Sequence, residues 1–263
     1  MVTNTGCFAD VNPSHVESNR LQRNEILVAN AIENLLNRQD TVRALDVGGM
    51  LGSSFVRIAS TFPQEVASGR LHMIVTNLEP DFTITAGIAE AKRRIAIHDH
   101  WNEIVHLLMQ TPGNAETLDG LSAKDKRCFM SRWEDIAFLE NNHQLVTYVS
   151  GVDTMDLPQT LMAVDPIFQA DIIHERFGGF YHHPDRHNVL SAVARVINPA
   201  TGSIMTTTPI DSIIFLEGFE RLIAMGICSL GHPSGGYWLY GMPKSPMAII
   251  AGSHISVEDM YKA

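Results

Sequence analysis

The sequence predicts an α/β protein built on a doubly wound, mostly parallel sheet. Short apolar runs of strand length alternate with longer stretches in which apolar residues recur at helical spacing. One strand-like run leads directly into a glycine-rich turn and the start of a helix, within residues 43–55. Because alternating strands and helices need crossover connections, they favour parallel strands covered by helices on both faces.

Composition and charge limit the class of protein. With 263 residues, 45% of them hydrophobic, the chain can bury one sizeable core. A net charge of -10 argues against a protein that binds a nucleic-acid backbone by general electrostatics. No run approaches the ~18 apolar residues of a membrane span, and the first residues do not resemble a signal peptide. We therefore expect a soluble, cytoplasmic protein with neither nucleic-acid nor membrane partners.

The cysteines and the chain's beginning are less informative. Cys7, Cys128 and Cys228 are odd in number and widely spaced, which indicates neither a disulfide framework nor a Cys-x-x-Cys metal site. We interpret residues 1–40 as an N-terminal helical extension that packs over the open end of the sheet. Its capping box is predicted at Ser14 to Glu17, and its buried stripe comprises Leu21, Glu25, Val28, Ile32 and Leu35.

The glycine-rich turn is the first candidate site. It follows the strand predicted at Ala44 to Val47, and Gly48, Gly49 and Gly52 lie within five positions. Glycine lets the backbone pass close to a ligand, and the helix N-terminus offers free N–H groups. Asp46 precedes the glycines, where a carboxylate would repel a pyrophosphate but suits a ligand with a cationic amino-acid end.

This stretch resembles motif I of the class I S-adenosylmethionine (SAM) methyltransferases, Asp/Glu-x-Gly-x-Gly-x-Gly. Asp46, Gly48 and Gly52 match, and Met50 stands where the motif has its middle glycine. The resemblance covers roughly residues 43 to 251 and implies a Rossmann-like, seven-stranded sheet that binds S-adenosyl-L-methionine. By this interpretation, the SAM-binding domain comprises 41–97 and 144–263, and 98–143 is a helical insertion that forms a lid or a dimer element.

The resemblance implies further cofactor residues after the second and third strands. Glu79 follows the strand predicted at Leu71–Thr76, where an acidic residue accepts hydrogen bonds from ribose hydroxyls; Glu65 is nearer the usual spacing but follows no strand. After a third strand at Leu145–Val149, residues 151–158 resemble the family's adenine loop, with Asp153 at the adenine amino group. The cofactor residues implied are Asp46, Gly48, Gly49, Met50, Gly52, Glu79, Asp153, Thr154 and His174.

Residues at and after the fourth strand, predicted at 170–175, are the candidates for chemistry on the acceptor. Methyl transfer needs an acceptor in line with the methyl group and, where the acceptor loses a proton, a base. Histidine suits that role near neutral pH, although structural or substrate-lining histidines are the alternative. No carboxylate–histidine spacing marks a metal site, so we assign none. The candidate bases are His174, Glu175, His182 and His183, and Tyr181 and His187 lie near them in sequence.

The rest of the chain completes the alternation and narrows the acceptor. We predict a fifth strand at Ser203–Thr208, a helix capped by Asp211, and a terminal antiparallel hairpin from 227–230 and 247–251. The fourth strand is not followed by the Asn/Asp-Pro-Pro-aromatic motif of nucleobase amino-methylating enzymes, and no cysteine follows a proline as in cytosine C5 enzymes. The sequence therefore favours O- or N-methylation of a small molecule. A protein methyltransferase, a non-catalytic SAM-fold binding protein and a homodimer stay open.

Overall fold

The described part of the chain forms two compact units. The computed structural model describes residues 21–49, 51–97, 134–175, 180, 183–231, 237–243, 245, 247 and 248. The smaller unit contains residues 83–97 and 134–144, where Lys92 Nζ lies 2.7 and 2.8 Å from the carboxylate oxygens of Glu140. The larger unit contains the other described residues and the entire sheet. No described helix is long and apolar enough to cross a membrane.

The sheet has seven strands in the order β3-β2-β1-β4-β5-β7-β6. Strands β1 to β5 are mutually parallel, and β7 is antiparallel to both β5 and β6. The strands are β1 (Val42–Val47), β2 (Leu71–Thr76), β3 (Thr147–Val149), β4 (Ile172–Glu175), β5 (Ser203–Thr206), β6 (Cys228–Gly231) and β7 (Trp238–Gly241). The predicted doubly wound, mostly parallel sheet with a terminal antiparallel hairpin is therefore confirmed.

The described helices are α1 (Arg23–Leu36), α2 (Ser53–Ser60), α3 (Pro63–Ala67), α4 (Ile84–Ile97), α5 (Leu157–Val164), α6 (Arg186–Val196) and α7 (Leu216–Ala224). Helix α4 belongs to the smaller unit, and helices of the larger unit cover both faces of the sheet. On one face, Leu45 and Ile173 belong to an apolar core that also contains Val193 of α6 and Leu222 of α7. Because side chains alternate along a strand, Asp46 and His174 face the other side. Helix α2 packs there, since its Phe55 contacts the ring of His174.

Helix α1 is fixed to α2 by a buried ion pair. The guanidinium of Arg57 contacts the Glu25 carboxylate through Nη2 at 2.6 Å and through Nε at 3.1 Å. Glu25 also accepts a hydrogen bond from the Gln22 backbone N–H, at 2.9 Å, which caps the first turn of α1. The predicted buried stripe of α1 is confirmed from Glu25 onward, and the capping box predicted at 14–17 lies outside the described residues.

Two sequence predictions near the carboxyl end of the chain are wrong. The second hairpin strand is Trp238–Gly241, which pairs with both β5 and β6, whereas 247 and 248 of the predicted run are helical and 249–251 lie outside the described residues. Met247 is fully buried, so its hydrophobicity reflects core packing outside the sheet. Asp211 does not cap a helix: a 3₁₀ turn at Ile213–Phe215 intervenes before α7, and Asp211 Oδ1 accepts from the Tyr240 hydroxyl at 2.9 Å.

Candidate active site

The loops after β2 and β3 lie side by side at the carboxyl edge of the sheet. The backbone N–H of Val152 donates to the carbonyl of Asn77 at 2.8 Å, and that of Gly151 donates to the carbonyl of Glu79 at 3.2 Å. These bonds place the loop that carries Glu79 against the loop that carries Asp153. The side chain of Glu79 is exposed and that of Asp153 is half-buried, so both carboxylates can meet a ligand.

The glycine turn after β1 is attached to the end of β2. The N–H of Gly48 donates to Thr76 Oγ1 at 3.3 Å, and the N–H of Gly49 donates to the Thr76 carbonyl at 3.2 Å. Gly48 has a φ of +67°, which favours glycine, and apart from its chain neighbours no heavy atom of the described residues lies within 4 Å of the position that a Cβ would take there. The turn therefore leaves open space beside Gly48, and Met50 lies outside the described residues.

The other two glycines make room for neighbouring side chains. A Cβ on Gly49 would lie 2.1 Å from Oδ2 of Asp46, so this position leaves space only for hydrogen. A Cβ on Gly52 would lie 2.7 Å from Cγ2 of Val75, and Gly52 has a φ of +62° at the N-cap of α2. The glycines predicted from the motif are thus required by the packing of the turn itself.

A tyrosine on β3 supports the same turn. The hydroxyl of Tyr148 donates to the backbone carbonyl of Leu51 at 2.8 Å. Burial raises the pKa of Tyr148 well above its ordinary value, and the negative charge of Asp46 raises it further. Tyr148 therefore stays neutral at physiological pH and retains the proton that it donates to the Leu51 carbonyl.

Asp46 and His174 form a buried pair between β1 and β4. Oδ1 of Asp46 lies 2.8 Å from Nδ1 of His174, and each side chain is only 4% exposed. The imidazole lies between Phe55 and Tyr237, with ring centroids 5.8 and 5.6 Å away. Because a carboxylate only accepts, Nδ1 carries the proton that it donates to Asp46. In the neutral ring this leaves Nε2 unprotonated.

Both carboxylate oxygens of Asp46 face groups of the protein. Oδ1 bonds His174, and Oδ2 lies beneath the backbone of Gly49. The carboxylate is therefore enclosed within the turn and is not presented to solvent. The contact of Asp46 with a cationic ligand group stays a prediction, whereas its hydrogen bond with the imidazole of His174 is visible directly.

Asp153 and His183 form a second carboxylate–histidine pair. Oδ1 of Asp153 lies 2.8 Å from Nε2 of His183 and also accepts from the Met155 N–H at 2.8 Å. Nδ1 of His183 accepts from the N–H of Asp185, so its proton must be on Nε2, facing Asp153. Burial by itself would raise the pKa of Asp153, but the two donors from Met155 and His183 outweigh it and hold that pKa below the ordinary value.

Replacing His183 with alanine is expected to move the pKa of Asp153 up toward the ordinary ~3.9, because one of its two donors is lost. A lowered folded-state pKa means that this carboxylate stabilises the fold above the unfolded-state pKa, and the stabilisation is lost as pH falls through the folded value. Carboxyl ¹³C titration of both proteins measures the shift. An unchanged or lower pKa in the variant would contradict the hydrogen bond.

The four candidate bases do not converge on one point. Glu175 follows His174 on β4 and faces the opposite side of the sheet, where it is fully buried. One of its oxygens accepts from the hydroxyls of Thr206 and Thr208, and the other has no hydrogen-bond partner among the described residues. Both ring nitrogens of His183 are engaged, and His182 lies outside the described residues. The assignment of a catalytic base among these four residues stays a prediction.

The sequence analysis missed the pairing of Asp46 with His174. It also missed Thr76 and Tyr148, which hold the turn from the neighbouring strands. The signal for the pair was available: each residue is the second to last in its strand, and β1 and β4 are neighbours in the sheet. Among the described residues, no three His, Cys, Asp or Glu side chains are grouped as a metal site would require.

The chain is similar to several solved structures at low sequence identity. No protein-family model and no curated protein matches the chain. Three similar solved structures are the citrinin polyketide synthase CMeT domain (TM-score 0.40, 12% identity, 82% of this chain), the rRNA methyltransferase aviRa from Streptomyces viridochromogenes (0.40, 13%, 86%) and an O-methyltransferase family protein from Burkholderia thailandensis (0.41, 13%, 92%). The matches cover 51%, 86% and 63% of those chains, so this chain spans about half the length of the first.

Proposed function

We propose that this protein is a SAM-dependent methyltransferase that methylates an oxygen or nitrogen of a small-molecule acceptor. The observation that carries the proposal is the arrangement at the carboxyl edge of β1 to β3: open space beside Gly48, next to the joined loops of Glu79 and Asp153. In open α/β sheets, nucleotide-like ligands bind in a crevice at this edge. The sheet order and the motif resemblance support the same class.

The residues present fit S-adenosyl-L-methionine. Gly48 admits close approach of a ligand, and the exposed carboxylate of Glu79 suits ribose hydroxyls. Asp153 is ionised at neutral pH because its pKa is lowered, so it can accept from the adenine amino group. The first N–H groups of α2 have no intrahelical acceptor and are available at this edge. When bound, SAM supplies a methyl group on a sulfonium, which is already activated toward a nucleophile.

His174 is the residue that would take a proton from the acceptor. Asp46 fixes the tautomer and orientation of its ring through Nδ1 at 2.8 Å, and the proton would be accepted at Nε2. The rings of Phe55 and Tyr237 contact the imidazole and help to hold it in place. An oriented imidazole with one free nitrogen is suited to deprotonate a hydroxyl or an ammonium group.

The acidic charge of the chain supports a small-molecule acceptor over a nucleic acid. We place the reaction in a reducing compartment such as the cytoplasm. A protein acceptor is the second choice. A SAM-binding protein without catalysis is the alternative from another class. The burial of both Asp46 and His174 supports this non-catalytic alternative, because a buried base cannot easily reach an acceptor. The binding experiment below tests the common premise, and turnover separates the two.

Replacing Glu79 with alanine is expected to weaken binding of S-adenosylhomocysteine about 10- to 100-fold, because hydrogen bonds between a charged acceptor and the ribose hydroxyls are lost. Glu65 on α3 is the matched control. It is a half-buried glutamate in the same unit as Glu79, and it lies away from the carboxyl edge of the sheet. Isothermal titration of the wild type, Glu79→Ala and Glu65→Ala gives the three affinities.

The control decides between a site effect and a general one. Glu65→Ala is expected to bind like the wild type. If the two alanine variants bind equally well, the ribose assignment of Glu79 fails. If the wild type itself takes up neither SAM nor S-adenosylhomocysteine, the proposed function fails as a whole.

A further inference from the structure

A groove of about 590 Å³ lies along helices α6 and α7 of the larger unit. On α6 it is lined by Asn188, Ser191 and Arg195, and on α7 by Arg221 and Ala224. Residues three or four positions apart share one face of a helix, so one face of each helix borders the groove. Sites for small molecules have volumes of about 300 to 1,000 Å³, and this groove is within that range.

The charges that line this groove are positive. Arg195 and Arg221 are both exposed there, and neither guanidinium forms an ion pair with a carboxylate in the part of the chain that the structure describes. No aspartate or glutamate is among the described residues that line the groove. This lining is opposite in sign to the net charge of the chain, which is -10. A guanidinium matches the geometry of a carboxylate or a phosphate, so the groove favours an anionic ligand.

The same groove also offers apolar surface. Met155, Ala194 and Met225 line it, and all three are only half-buried against the core. Methionine side chains are unbranched and polarisable, so they adapt to ligands of different shape. A ligand in this groove therefore meets both guanidinium groups and an apolar wall. A molecule with an anionic end and an apolar body fits that combination.

We propose that the α6–α7 groove is a binding site for a small organic anion, a carboxylate or a phosphate attached to an apolar body. The anionic group pairs with Arg195 and Arg221, and the apolar body contacts Met155, Ala194 and Met225. Among the described residues, none of the implied cofactor residues and none of the candidate bases lines this groove. The proposal therefore goes beyond the proposed function and does not depend on it.

Isothermal titration of the full chain tests the ligand class with octyl phosphate, octanoate and octanol. At least one of the two anions is expected to bind, and octanol at least tenfold more weakly, because it has the same apolar body without the charge. The preferred anion distinguishes a phosphate from a carboxylate. Inorganic phosphate should also bind more weakly than octyl phosphate, since it lacks the apolar body.

Replacement of either arginine tests the charge pairing. Arg195→Ala and Arg221→Ala are each expected to weaken binding of the preferred anion about tenfold, because a charge-assisted hydrogen bond is lost. Arg38→Ala is the matched control. Arg38 is an exposed arginine of the same unit, just after α1, and it does not line the groove. It should bind the anion like the wild type.

Methyl NMR spectra of ¹³C-labelled methionines locate the probe on the wild type. Met155 and Met225 line the groove, so their signals should shift when the anion binds. Met162 is the internal control, because it is 56% exposed on α5 but does not line the groove. A shift of Met162 as large as those of the other two would show non-specific binding and overturn the proposal.

The remaining outcomes are equally decisive. The proposal fails if neither anion binds, if octanol binds as tightly as the anions, or if both arginine variants keep the wild-type affinity. Tighter binding of a glutamate peptide than of either anion would assign the groove to an acidic protein segment instead. Self-association of the chain that excludes the anion, seen by sedimentation velocity, would assign it to a second copy.

Discussion

Replacing Gly49 with alanine is expected to lower the free energy of unfolding by about 3 kcal/mol. The added Cβ would lie 2.1 Å from Oδ2 of Asp46, well inside contact distance. Asp46 cannot yield cheaply, because its carboxylate is buried and bonded to His174 at 2.8 Å. Movement of the carboxylate would leave a buried charge without its partner. Urea unfolding measures the change, which should appear as a lower midpoint at an unchanged slope.

A double-mutant cycle attributes the loss to this contact. In an Asp46→Ala background the carboxylate is absent, so adding Gly49→Ala should cost less than about 1 kcal/mol. Gly69→Ala is the matched glycine control, because its φ is +72° but a Cβ there would approach nothing closer than His72 Nε2 at 3.8 Å. It should cost only the conformational strain, about 1 kcal/mol. An equal cost of Gly49→Ala in both backgrounds would show that the carboxylate is not the cause.

Replacing His174 with glutamine is expected to lower turnover about 10²- to 10⁴-fold, once an acceptor is in hand. The glutamine amide can still donate to Asp46, and Thr76 and Tyr148 still hold the glycine turn, but the amide cannot take a proton from an acceptor. The affinity for S-adenosylhomocysteine should therefore change less than about tenfold. Transfer of a labelled methyl group from SAM to a metabolite extract, and then to the purified acceptor, gives turnover, and titration gives affinity.

The other histidines make the assignment specific. His72 on β2 is exposed and contacts the Gly69 carbonyl, so His72→Gln is the control for loss of an imidazole and should retain full turnover. His183→Gln should alter binding more than turnover, because the ring supports Asp153. If His174→Gln keeps wild-type turnover, positioning alone carries the reaction or the base is another residue.

The fold could be predicted because its signals are local. Buried parallel strands require continuous apolar runs, and Leu71–Thr76 has the predicted bounds. The glycine turn was recognisable because its requirements are local: Gly48 has a positive φ, and Gly49 and Gly52 leave room for neighbouring side chains. The hairpin failed because the run at 247–251 has the hydrophobicity of a strand, and nothing local shows that β5 pairs with Trp238–Gly241 instead. Strand pairing at the end of a sheet depends on contacts distant in sequence.

The site could be predicted in its residue types but not in its partnerships. Asp46 and His174 were both singled out, yet the assignment of Asp46 to a ligand overlooked a neighbour 128 positions away. Likewise His183 was grouped with the bases, whereas Asp153 and the Asp185 N–H engage both of its nitrogens. Side chains with several hydrogen-bonding options are determined by which strands become neighbours, and a residue's type alone does not reveal that.

The ion pair between Glu25 and Arg57 has a consequence for the boundaries of the domain. Arg57 belongs to the helix that begins at the glycine turn, and its guanidinium is almost fully enclosed with Glu25 as its counter-charge. A chain that started at the first strand would lack the Glu25 carboxylate, and removal of one member of a buried ion pair is strongly destabilising. We therefore expect helix α1 to belong to the minimal folding unit, because the segment before the first strand supplies the carboxylate that pairs with the helix after the glycine turn.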